Sequence, residues 1–74
     1  MPLNSEEQAS LRKFGAAVRR LRTLKCMTQE ELADLTDLHT RSLQKIEAGD
    51  KNILITTVRR IQKSLDCSWD DLMS

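Results

Sequence analysis

The sequence predicts an all-α domain of five helices, and three observations carry that prediction. Apolar residues recur at spacings of three and four over residues 11–24 and again over 55–65, the period of an amphipathic helix. Thr28-Gln29-Glu30-Glu31 has the form of a capping box, in which Thr28 caps a helix and Glu31 reaches back to it. No convincing strand is present: Ile53-Leu54-Ile55 is β-like but too short, and it has no partner.

The first helix is expected over residues 6–25, after a disordered tail at 1–5. Leu11, Phe14, Val18, Leu21 and Leu24 form its apolar stripe, with Arg12, Lys13, Arg19 and Arg20 mostly off it. Cations crowd its last turns, which suits the helix dipole. The second helix is expected from Gln29 to about residue 36, with Met27 and Leu32 as a hydrophobic staple around its start. Leu32, Ala33 and Leu35 are its apolar residues, and a turn follows at 36–38. The third helix starts after His39 or Thr40 and stops near Gly49, a helix-ending residue. A loop over 50–54 leads to a fourth helix at about 55–65, with Ile55, Val58, Ile61 and Leu65 inward. Ser68 is an N-cap followed by Asp70 and Asp71, which begins a short fifth helix ending near Met73.

The 74 residues make one domain, 1–74. A chain this small buries only about 60% of its unfolded surface, so its stability margin is thin and self-association would help it. No apolar run approaches membrane-spanning length, and the N-terminus lacks the basic start and apolar stretch of a signal peptide. A cytoplasmic protein with no membrane partner is expected. Twelve basic and eleven acidic residues leave a net charge of +1, so any nucleic-acid binding must come from where the charges sit. Cys26 and Cys67 lack metal-site spacing and are expected as reduced thiols. There is one histidine, no glycine-rich loop and no pattern of nucleophile and base. An enzyme is therefore not expected, nor a metal, a cofactor or a small-molecule ligand.

The second and third helices are about two turns each and cannot be stable alone. They must pack on the others. The tight turn between them sets a steep angle, and Ala33 permits close approach. Leu32, Leu38, Leu43 and Ile46 point to a shared core, so the third helix shows its other side to solvent. That is a helix-turn-helix over about 28–48, whose second helix enters a DNA major groove.

Here the chain resembles a known family. QEELADLTDLHTRSLQKIEAG resembles the helix-turn-helix of Cro/repressor-type (Xre-like) regulators, and FGAAVRRLR and SLDCSWDDL resemble their first helix and their fourth-to-fifth junction. The resemblance spans about residues 14–73 and implies the five-helix lambda-repressor-like fold. Three positions depart from it: Cys26, Asp37 and Asp66 stand where the family usually has glycine. Each is an expected left-handed turn, costing a residue with a side chain up to about 1–2 kcal/mol. Leu54 also replaces the usual Ser/Thr cap of the fourth helix.

A major groove takes long hydrogen-bonding side chains near the start of the inserted helix. Arg41 can pair bidentately with guanine, Thr40 can touch a thymine methyl or a base edge, and Gln44 and Lys45 lie one turn further on. The resemblance places Thr40, Arg41 and Lys45 at base-contacting positions, with Gln44 beside them; the bland alternative is a solvated face. For phosphate contact the candidates are Thr28, Gln29, Lys51 and Asn52. The resemblance implies a phosphate-contacting glutamine at position 29, where free helix N-terminal N–H groups would help. Thr28 is also a cap, and His39 is expected as a surface residue. Arg22 and Glu47 match a family pair that links the first helix to the third, which makes them structural.

One short helix reads few base pairs, so a homodimer spanning twofold-related half-sites about 34 Å apart on double-stranded DNA is expected. The chain ends soon after the fifth helix, so its dimer surface is expected within the domain. Trp69, Leu72 and Met73 are the candidates, with Ile53 and Leu54 as additions. An equal alternative is that Trp69 closes the core over the first helix. The leading expectation is a sequence-specific transcriptional regulator, similar in compactness to phage repressors and restriction–modification controller proteins. Glu30, Glu31 and Asp34 are candidates for touching polymerase if it activates. The alternative is a toxin-binding antitoxin module that also binds DNA.

Overall fold

The computed structural model describes residues 4–73. Five helices occur in it: α1 (Ser5–Leu24), α2 (Gln29–Leu35), α3 (Thr40–Ala48), α4 (Ile55–Leu65) and α5 (Trp69–Met73). Their starts are set by local hydrogen bonds. Thr28 Oγ1 accepts the Glu31 N–H at 3.1 Å while Glu31 accepts the Thr28 N–H at 2.9 Å, the expected capping box. Ser68 and Asp71 exchange the same pair of bonds at the start of α5. A third box was not anticipated. Asn4 Oδ1 accepts the Glu7 N–H at 2.8 Å, and Glu7 accepts the Asn4 N–H at 3.1 Å. So residues 4 and 5 cap and begin α1 rather than belonging to a tail; residues 1–3 lie outside the described residues. The Asn-x-x-Glu pattern carries the same capping chemistry as Thr-x-x-Glu.

The turns take the strained backbone expected of them. Cys26 and Asp37 have φ 57° and Asp66 has φ 50°, all left-handed without being glycine. Gly49 ends α3 at φ 75°, where a Cβ would come within 2.6 Å of Arg12 Cα. Neither His39 before α3 nor Leu54 before α4 makes a side-chain cap bond.

α1 is the spine. α3 and α5 pack along it, α2 lies against α3, and α4 touches α1 and α2. Phe14, Val18, Leu32, Leu43, Ile61 and Leu65 form the centre of the core. Thr36 is also buried there, and its hydroxyl is satisfied by donating to the Leu32 carbonyl at 2.8 Å. Two inward assignments fail. Leu24 is 71% exposed, because two successive steps of three from Val18 drift about 120° round a helix of 3.6 residues per turn. Ile55 is 60% exposed, since it opens α4 at the rim of the core rather than over it.

The closest helix contact is at Gly15. A Cβ there would overlap the Ile46 carbonyl oxygen and lie 2.6 Å from that of Glu47, so glycine lets α1 and α3 touch backbone to side. The small residues of Gly15-Ala16-Ala17 were a readable signal of close approach. One helical turn away, an ion pair joins the same two helices. Arg22 Nε donates to Glu47 Oε2 at 2.7 Å and Nη2 donates to Oε1 at 3.2 Å, with the side chains 13% and 4% exposed. Arg22 Nη1 donates to the Met27 carbonyl at 2.7 Å, which also anchors the α1–α2 turn.

Two stability outcomes follow from these contacts. Gly15→Ala should destabilise the domain by about 1–3 kcal/mol, because the backbone of α3 must move away from the added methyl. Arg22→Met should cost about 3 kcal/mol by leaving a buried carboxylate without its cation, and adding Glu47→Leu should recover much of the loss. Urea unfolding of the three variants against the parent chain measures both.

Candidate nucleic-acid interface

α3 is held on one side and free on the other. Leu43 and Ile46 are buried at 0% and 3% exposure, while Arg41, Gln44 and Lys45 are exposed and Thr40 is half-buried. A helix of this short length has only one face to offer once two apolar residues are inside. The ion pair and the Gly15 contact fix that face against α1 and α2 at its C-terminal end. Arg41 is free of any ion pair among the described residues, so its guanidinium is available for recognition.

The structure brings Gln29 to this face. Gln29 Nε2 donates to Glu47 Oε1 at 3.1 Å, and Gln29 Oε1 accepts from Gln44 Nε2 at 3.4 Å. The residue therefore lies at the junction of α2 and α3 and is engaged there with protein groups. Thr28 Oγ1 is used as a cap acceptor, which leaves its hydroxyl hydrogen as a donor. Lys51 and Asn52 are exposed just after α3. The Asn52 oxygen accepts the neighbouring Ile53 N–H at 3.1 Å, so its amide N–H groups remain to donate. His39 is exposed, as expected.

A second surface lies away from α3. Leu54 (73% exposed), Ile55, Met73 and Trp69 (40%) are large apolar side chains in solvent. Ile55, Trp69 and Met73 line a groove floored by Phe14 and Val58. Trp69 is thus neither wholly outside nor a lid sealing the core. Leu72 is a correction: at 0% exposure it belongs to the protomer's own core and has no surface for a second chain. α5 is one turn long, so of its apolar residues only Leu72 faces fully inward, while Trp69 and Met73, three back and one on, flank it. Ile55 was missing from the sequence-derived surface because its periodicity counted it as core.

Cys26 is exposed and Cys67 half-buried, and both are free thiols. Burial, with the negative charge of Asp71 next, pushes the Cys67 thiol above its ordinary range, so it stays protonated at neutral pH. Among the described residues no group of three His, Cys, Asp or Glu side chains is placed to hold a metal, and no helix is long and apolar enough to cross a membrane.

Comparison with known proteins agrees with this geometry. Residues 18–72 match the model of a family described as helix-turn-helix. The control protein C.BamHI of Bacillus amyloliquefaciens is 38% identical over 61 residues, covering 81% of this chain and 75% of that protein. The restriction–modification controller protein C.AhdI of Aeromonas hydrophila superposes with a TM-score of 0.82 at 34% identity, over 86% of this chain and 97% of its own. The clp gene regulator ClgR of C. glutamicum also reaches 0.82, at 26% identity over 97% of this chain and 85% of its own. The chain belongs to the Xre-like helix-turn-helix family, which these controller proteins share.

Proposed function

We propose that this chain works as a homodimer that lays α3 of each protomer into the major groove of a palindromic operator. As a family member it is a sequence-specific DNA-binding transcriptional regulator. The observation that carries the finer reading is the division of α3 into a buried Leu43–Ile46 side and a free Arg41–Gln44–Lys45 side. Arg41 is assigned to a guanine, Lys45 and Thr40 to neighbouring base edges, and Gln44 to a further base. Phosphates are assigned to Lys51, the Asn52 amide, the Thr28 hydroxyl and the free N–H groups at the start of α2.

The dimer is assigned to the apolar surface of Leu54, Ile55, Trp69 and Met73. Large apolar side chains of this kind, grouped in one patch, mark an association site on a small domain, and tryptophan and methionine are enriched at such sites. The named relatives carry this further: the genes it controls are assigned to a restriction–modification system, and it acts in the cytoplasm with its DNA. No catalytic role is assigned to it.

Titration onto the DNA upstream of its own gene, against an unrelated duplex at two salt concentrations, tests the regulator reading. A preference of about 10³-fold or more is expected, whereas equal and steeply salt-dependent binding to both would show that charge alone is read. Arg41→Ala should cost about 1–3 kcal/mol on the operator and relax preference at one base position. Lys51→Ala should weaken binding to every sequence alike. Leu54→Glu should convert the dimer to monomer in sedimentation while its circular dichroism stays helical, because Leu54 makes no cap bond and is mostly outside the core. A dimer that survives that change would move the interface elsewhere.

A further inference from the structure

The Glu47 carboxylate does more than pair with Arg22. Its Oε1 also accepts from Gln29 Nε2 at 3.1 Å. A carboxylate offers only acceptors, so the Gln29 amide must turn its nitrogen toward Glu47 and its oxygen away. Diffraction seldom tells amide oxygen from nitrogen, but here the charged partner decides the orientation on chemical grounds. The Gln29 oxygen then faces α3, where Gln44 Nε2 donates to it at 3.4 Å. An oxygen there selects the nitrogen of Gln44 as its neighbour in the same way. What Gln44 has left is its own oxygen and one N–H, side by side. That edge matches adenine in the major groove, which presents the N6 donor next to the N7 acceptor.

We propose that Gln29 is a positioning residue: the charge of Glu47, passed through the Gln29 amide, sets which way round Gln44 meets the groove and makes adenine the base it prefers. This rests on the assignment of α3 to base reading. The Gln44 bond is long and exposed, so it adds little to stability. Its effect is to choose between two amide orientations that would otherwise be nearly equal. The same geometry reduces the part Gln29 takes in phosphate contact. Its oxygen is committed to Gln44 and one N–H to Glu47, leaving a single N–H for a phosphate.

The test measures binding to the preferred operator and to duplexes with each half-site base pair replaced in turn. The parent chain, Gln29→Met, Gln44→Ala, the double variant and Arg41→Ala are compared. Methionine keeps the length of glutamine and loses both bonds. The parent should lose about tenfold in affinity on replacing one A·T pair. Gln29→Met and Gln44→Ala should each flatten preference at that same pair, the double variant should go no further, and Arg41→Ala should act at a different pair. A uniform loss in Gln29→Met with the A·T preference intact overturns the proposal and leaves base reading by α3 standing. A parent chain that distinguishes no base pair overturns both. In the free protein, the side-chain amide resonances of Gln44 should move in Gln29→Met, and unchanged resonances overturn the relay without any DNA being present.

Discussion

The structure depends on one guanidinium. Arg22 reaches from α1 to Glu47 on α3 with two bonds and to the Met27 carbonyl in the α1–α2 turn with a third. Glu47 in turn holds Gln29 at the start of α2. Three helices and a turn are therefore tied to a single charge pair that is almost wholly out of water. Removing two ions from water is costly, and the cost is offset only when the geometry is good and the remaining hydrogen-bonding positions are filled. Both conditions are met here: the pair is bidentate, and the remaining donors and acceptors on both partners have further bonds. The pair matters more for where α3 sits than for how stable the domain is. α2 and α3 are too short to hold their own orientation, so the angle between them must come from outside.

Gly15 makes the ion pair possible. The backbone of α1 approaches the carbonyl oxygens of Ile46 and Glu47 more closely than any side chain would allow. This brings the end of α3 within reach of Arg22. The two contacts constrain α3 at its C-terminal end, which leaves the N-terminal face with Thr40 and Arg41 as its free end. A reading helix needs this arrangement, since its first turns enter the groove while its far end is anchored. The three non-glycine left-handed turns work against stability, at up to about 1–2 kcal/mol each. For a domain with so small a core that is a considerable load. Any association that buries the Leu54–Trp69 surface would offset part of it by mass action.

The two surfaces are kept apart by the fold. α3 faces one way, while the apolar groove is built from the start of α4, the end of α5 and Phe14 of α1. α5 packs along α1 and α2 packs on α3, so α1 is the common support of both surfaces. A twofold contact through the groove leaves both copies of α3 uncovered. Dimerisation and base reading can then be altered separately, because no residue assigned to one is assigned to the other.

Much of this was legible in the sequence because it is local. The Thr28 and Ser68 caps, the left-handed turns at Cys26, Asp37 and Asp66, and the polar face Arg41–Gln44–Lys45 each follow from residues within a few positions of one another. The Asn4 cap was equally local and was passed over only because the apolar stripe starts later. What the tertiary structure decided is what depends on residues far apart in the chain. Periodicity placed Leu24 and Ile55 inside, but burial depends on whether another helix covers that point of the surface, and none does. Leu72 was placed at an interface by its neighbours and is core by its packing. Gln29 was a phosphate candidate by its position at a helix start, yet its amide is engaged by Glu47, 18 residues away, and by Gln44, 15 away. Helix starts and turns are short-range events that a few side chains can determine. The direction of an amide and the exposure of a leucine are set by whatever the fold brings beside them.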